Sequence, residues 1–135
     1  MTRAPGVAEL LDLARSGPDE FRGISPDQPD RLFGGQVVAQ ALAAATATVE
    51  ADRLAHAMQA QYLRQGKGGA PVDYTVTRLR DGGAFSARQV TAHQDDRVLF
   101  VTLASFHAGE GSFGHQLPAP AAPPRKTSHG PGSCR

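Results

Sequence analysis

From Gly35 to Val49 the chain carries no Asp, Glu, Lys or Arg. The weight of alanine favours helix there, despite several β-branched members. Val38, Leu42, Ala45 and Val49 make one stripe at helical spacing, and Val37, Ala41 and Ala44 make a second beside it. Ala39 and Ala43 occupy most of the remaining surface. A helix that is apolar or small nearly all round is a buried helix. Its small side chains predict close approach of other backbone on several sides. Glu50 and Asp52 then return the chain to water.

Strand-like segments follow this helix. Leu54 to Leu63 alternates, with Leu54, His56, Met58, Ala60 and Tyr62 on one face. In Val72 to Leu79, Val72, Tyr74 and Val76 oppose Asp73, Thr75 and Thr77. Ala84 to His93 suits an extended strand, and the uncharged run Val98 to Phe106 suits a central one. Turn signals separate them at Gly66-Lys67-Gly68-Gly69, Asp81-Gly82-Gly83 and Asp95-Asp96. Short turns between consecutive strands predict antiparallel hairpins. Ahead of the helix, Val7 to Leu13 reads as a short amphipathic helix stopped by Ser16-Gly17-Pro18. Phe21 to Ile24 reads as a short edge strand, and Ser25 to Asp30 as a loop.

The predicted class is α+β, with one antiparallel sheet curled around a central helix. A flat sheet with the helix on one face would require a charged outer helix face, and Gly35 to Val49 has none. The 135 residues suffice for one domain, placed at 1–117. Residues 118–135 read as a Pro/Ala-rich linker and disordered tail. A net charge of +1 and the lack of a basic patch argue against nucleic acid as a partner. No apolar run is long enough for a membrane span. The one cysteine, Cys134, cannot form an internal disulfide, which suits a cytoplasmic setting.

The run Arg31-Leu32-Phe33-Gly34-Gly35-Gln36-Val37-Val38-Ala39-Gln40-Ala41-Leu42 resembles the type II acyl-CoA thioesterase family. Further blocks match in order: Tyr62-Leu63-Arg64, Leu79-Arg80-Asp81-Gly82, Phe85-Ser86-Ala87-Arg88, Ala104-Ser105-Phe106, and Phe113 to Gln116. The resemblance implies two tandem hot-dog repeats, each a curled sheet around a helix, of which this chain matches the N-terminal one. It implies hydrolysis of fatty acyl-CoA to fatty acid and CoA, with no metal or redox cofactor. The family's catalytic Asp, Ser or Thr, and Gln belong to the second repeat, so none is carried onto a residue here. The chain departs from the family at Gln59, where a second His is usual, at Gln65, where Pro is usual, and at Gly83, where Arg is usual.

Several residues invite a chemical role. Gly34 and Gly35 open the helix, where free N–H groups can face a developing oxyanion, or where the glycines simply permit a tight turn. Gln36 and Gln40 lie one turn apart and can orient water or a thioester, or can satisfy core backbone. Gly35 and Gln36 are therefore the catalytic candidates. Phe33, Gly34, Gly35, Gln40, Tyr62, Arg64 and Arg88 are the candidate substrate-binding residues. Arg64, Lys67, Arg78, Arg80 and Arg88 can meet CoA phosphates, or form a solvated face. Asp30 precedes the helix and suits its dipole better than catalysis. His56 reads as a hydrogen-bonded core residue, and His93, His107, His115 and His129 lack metal-ligand spacing.

Hydratase and dehydratase signatures of other hot-dog enzymes are absent, as are Walker, Rossmann and nucleophile-elbow motifs. The expected function is acyl-CoA thioesterase-like. The alternatives are an inactive acyl-CoA-binding or dimerisation module, or a truncated half of a two-repeat enzyme. A lone repeat leaves a sheet edge open, which predicts a homodimer.

Overall fold

The computed structural model describes residues 5–26, 31–109 and 114–123. The expectations for Asp30, Phe113, His129, Cys134 and the tail from Arg125 lie outside the described residues. The elements in order are α1 (Val7–Leu11), β1 (Ala14–Gly17), β2 (Glu20–Gly23), α2 (Gly34–Thr46), β3 (Arg53–Tyr62), β4 (Val72–Asp81), β5 (Phe85–Gln94) and β6 (Arg97–Ala108). Residues 114–123 form neither helix nor strand.

The strands form one antiparallel sheet in the order β1-β2-β4-β5-β6-β3. It is an open sheet wrapped around α2, the single hot-dog architecture that the charge-free helix predicts. Alternate residues of the strands point inward: Val72, Tyr74, Val76, Val90, Ala92, Phe100, Ala104 and Phe106 are buried against Val37, Ala41, Ala44 and Ala45 of α2. Three of the four helix residues are alanine, which lets the sheet approach the helix closely. The opposite stripe is less covered than the sequence predicts: Val38, Ala39, Leu42 and Ala43 are only half-buried. Threonines set the end of α2. Thr46 Oγ1 donates back to Leu42 O and Thr48 Oγ1 to Ala45 O, so the last residues to Val49 form turns rather than helix.

The connections depart from expectation in two places. Ser16-Gly17-Pro18, read as a helix stop, lies in a β1–β2 hairpin, so β2 is an inner strand and β1 the edge. The Arg15 guanidinium fixes this hairpin by donating to Gly17 O and Pro18 O while lying 5.3 Å from the Phe21 ring centre. The glycine-rich segment after β3 is not a hairpin turn, because β3 pairs with β6 rather than β4. Leu63 N and Arg64 N both donate to Leu99 O, and the Gln94 side chain bonds Lys67 N, Lys67 O and Ala70 O. These bonds lead the chain across the sheet's end.

A bulge corrects the reading of β3. Ala55 faces Phe106 and Ala57 faces Ser105, which leaves His56 as the extra residue. Met58, Ala60 and Tyr62 keep the inward phase, opposite Ala104, Thr102 and Phe100, while Leu54 pairs outward with His107. His56 is therefore exposed rather than in the core. Its Nε2 lies 2.8 Å from Ser105 Oγ, and its ring meets Phe85 at 5.7 Å and His107 at 6.1 Å.

Candidate functional site

Helix α2 begins at Gly34 with an extended Phe33 as its N-cap and no side-chain cap. Gln36 N and Val37 N both donate to Phe33 O, at 3.1 and 3.3 Å. The helix's own bonding leaves over the N–H groups ahead of them, those of Gly34 and Gly35. No acidic side chain occupies the first turn to neutralise the dipole there.

The end of β3 is tied to this helix start. Tyr62 OH donates to Gly34 O at 2.8 Å, and its ring meets Phe100 edge-on at 5.0 Å. A side chain at Gly34 would crowd that ring, since an added Cβ would lie 3.2 Å from it. Around this tie opens a cavity of about 310 Å³, bordered by Leu32, Gly34, Val37, Tyr62, Arg64 and Gly66, among others. A side chain at Gly66 would have to push wall side chains aside: a Cβ there would approach Leu32 to 2.7 Å and Leu99 to 2.8 Å. Exposed Arg64 stands on the rim, with one Nη held by Val98 O at 2.9 Å. Among the described residues no carboxylate lines this cavity.

The other sequence candidates lie elsewhere. Phe33, Gly35, Gln36 and Gln40 border a second cavity of about 190 Å³, between α1 and α2. Both amide nitrogens are committed to backbone. Gln36 Nε2 donates to Ile24 O, and Gln40 Nε2 donates to Leu10 O and Ile24 O, at 2.7–2.9 Å. Gln40 Oε1 accepts from Tyr74 OH at 2.7 Å, and burial pushes the Tyr74 hydroxyl well above its usual pKa.

Arg88 borders neither cavity and is only 1% exposed. Its guanidinium donates to Thr48 Oγ1, Thr48 O, Arg80 O, Ala87 O and Asp81 Oδ1. It anchors the C-terminal end of α2 to β4 and β5, and it has no face left for a phosphate. Arg78 is paired with Asp19. Among the described residues no cluster of His, Cys, Asp or Glu suits a metal ion. The sequence reading missed Leu32, Gly66, Leu99 and Phe100 as cavity walls. Gly66 was visible only as a turn residue, and no local pattern distinguishes a turn glycine from one under side-chain pressure.

Ion pairing around the anchor gives a pH prediction. The Arg88 hydrogen bond holds the Asp81 carboxyl below its usual pKa, and Arg22 does the same for Asp73. Carboxyls depressed in the folded state stabilise it above the unfolded value of about 3.9 and lose that contribution as pH falls through the folded value. Urea unfolding is expected to show a stability plateau near neutrality and a decline below about pH 4. Asp81→Asn is expected to make that decline shallower, and an unchanged slope would contradict the assignment.

Comparison with known proteins places these features. Residues 23–107 match the family model described as the acyl-CoA thioesterase N-terminal domain. Human acyl-coenzyme A thioesterase 8 is 40% identical over 120 residues, covering 87% of this chain and 38% of that protein. Acyl-CoA thioesterase 2 of Haemophilus influenzae is 42% identical over 115 residues, covering 84% of this chain and 40% of that protein. The solved tesB protein of Mycobacterium avium subsp. paratuberculosis superposes with a TM-score of 0.76 at 39% identity, covering 87% of this chain and 47% of that one. This chain thus spans well under half the length of the curated relatives it matches. With the match covering α2, β3 and the sheet from β4 to β6, the chain belongs to the acyl-CoA thioesterase family, as a hot-dog domain of its N-terminal type.

Proposed function

We propose that this chain binds fatty acyl-CoA at the start of α2 and takes part in its hydrolysis, in which water cleaves the thioester to fatty acid and CoA. The observation that carries this reading is the pair Gly34-Gly35 at the helix start in a member of this family: the helix's own bonding leaves over their N–H groups, and Gly34 borders the first cavity while Gly35 borders the second. The thioester carbonyl oxygen lies toward those groups, which stabilise it as charge develops. Arg64 and Lys67 face the CoA phosphates, where an exposed cation serves as a point contact.

A second hot-dog unit completes the site in this reading, and a second copy of this chain is the unit we infer. Support comes from β3, whose outer side has no partner strand among the described residues. Leu54–Tyr62 contains no Lys, Arg, Asp, Glu or Pro, the devices that ordinarily protect a sheet edge. We also assign the protein to the cytoplasm and to fatty acid metabolism, the first on the strength of its single cysteine. Among the described residues no helix is long and apolar enough to cross a membrane.

That no carboxylate lines the cavity among the described residues favours one other reading, a domain that binds acyl-CoA without turning it over. A thiol-release assay across several acyl-CoA chain lengths, with sedimentation on the same preparation, separates them. Turnover by a dimer is expected. Acyl-CoA binding with thiol release no faster than buffer would leave the binding reading in its place, and a stable monomer would remove the paired-edge arrangement.

A further inference from the structure

Adjacent glycines face different cavities. Gly34 borders the mixed polar and apolar cavity beside Tyr62 and Arg64, whereas Gly35 borders the cavity between α1 and α2. The walls of the second cavity are chiefly carbon, from Val7, Leu10, Leu11, Phe33 and Ala39. Its two polar wall residues do not change this. The Gln40 amide is bound at both ends, to Leu10 O and Ile24 O through Nε2 and to Tyr74 OH through Oε1, and Gln36 Nε2 donates to Ile24 O. The Phe33 ring lies across Gly35, where an added Cβ would come within 2.5 Å of it. Phe33 is nonetheless 64% exposed and Val7 73% exposed, a large apolar surface held beside an open concavity.

We propose that this second cavity is the acyl-chain subsite, taking an unbranched alkyl tail while the CoA arm lies on the Tyr62–Arg64 side. The proposal rests on the acyl-CoA reading above and adds a division of labour to it. A thioester carbonyl at Gly34-Gly35 stands between the two cavities, so its two substituents leave in opposite directions. The polar arm meets a cationic rim, and the hydrocarbon meets walls that are chiefly carbon. Ala39 determines how much tail is accommodated, because a larger side chain there projects into the cavity.

The test uses saturated alkanoates of increasing length, displacing a fluorescent fatty acid from the full chain, with CoA titrated separately. Wild-type affinity is expected to rise about fourfold per added methylene until the cavity is full. Ala39→Phe is expected to flatten that series while leaving CoA binding unchanged, and Arg64→Ala to weaken CoA while leaving the series intact. Leu11→Glu, at the partly exposed wall, is a second variant that flattens the series should Ala39→Phe fail to fold by circular dichroism. A series in the folded variants as steep as in wild type would overturn the subsite. Alkanoate binding is read without a thioester, so a protein that never hydrolyses acyl-CoA still decides this question. Conversely, turnover with a flat wild-type series would refute the tail placement alone.

Discussion

Replacing Arg88 by methionine is expected to cost about 3–5 kcal/mol, chiefly because it strands the buried hydroxyl and carbonyl of Thr48. Thr48 O, Thr48 Oγ1 and Arg80 O would each lose a donor, and Thr48 is itself buried. Methionine matches much of the arginine's length, so lost packing is a minor part of the effect. The consequence should concentrate where the guanidinium joins α2 to the sheet. Chemical denaturation measures the total, and amide exchange should show the last turn of α2 opening first. A variant as stable as wild type would mean that these bonds are replaceable by solvent. Arg88→Lys should recover only part of the loss, since an ammonium cannot span acceptors in the guanidinium's plane.

The second large effect is expected at Gln40. Gln40→Leu would leave Tyr74 OH buried without an acceptor and Leu10 O without the amide donor, a loss of about 2–4 kcal/mol. Removing both ends of the Tyr74 bond is less damaging than removing one. The double variant Gln40→Leu, Tyr74→Phe should therefore regain part of that stability, and the coupling of the two sites is read from a double-mutant cycle. Strict additivity would contradict a direct bond. The fully buried Gln40 also explains the glycine opposite it on β2. A Cβ on Gly23 would lie 2.5 Å from Gln40 Oε1, so no larger residue fits without displacing the amide.

The curled sheet was legible because its signals are local and repeated. A charge-free helix and strands of period two leave few ways to hide that much apolar surface. Strand order was not legible at β3. A glycine-rich connection looks the same whether it turns back on its neighbour or crosses the sheet, and only bonds to Leu99 and Gln94 decide. The inversion at His56 escaped for a related reason: one inserted residue reverses every later side chain, and nothing in Leu54–Ala57 announces it. At the site, the motif located the helix start, yet residue type alone overstated its polar members. Gln36, Gln40 and Arg88 looked available for a ligand because amides and guanidinium groups are versatile. Their side-chain partners lie 7 to 40 residues away and the rest are backbone carbonyls, so they are invisible until the chain is folded.

The crossing after β3 also has a consequence in time. On the ribosome β3 emerges long before its partner β6, with β4 and β5 made in between. At roughly 5–20 residues per second, the uncharged Leu54–Tyr62 segment waits for several seconds without its ladder. During that interval α2 also lacks most of the sheet that covers it. The nascent chain thus passes through a stage that invites holdase binding or misassociation, and its yield in cells depends on elongation speed across β4 and β5 as well as on final stability.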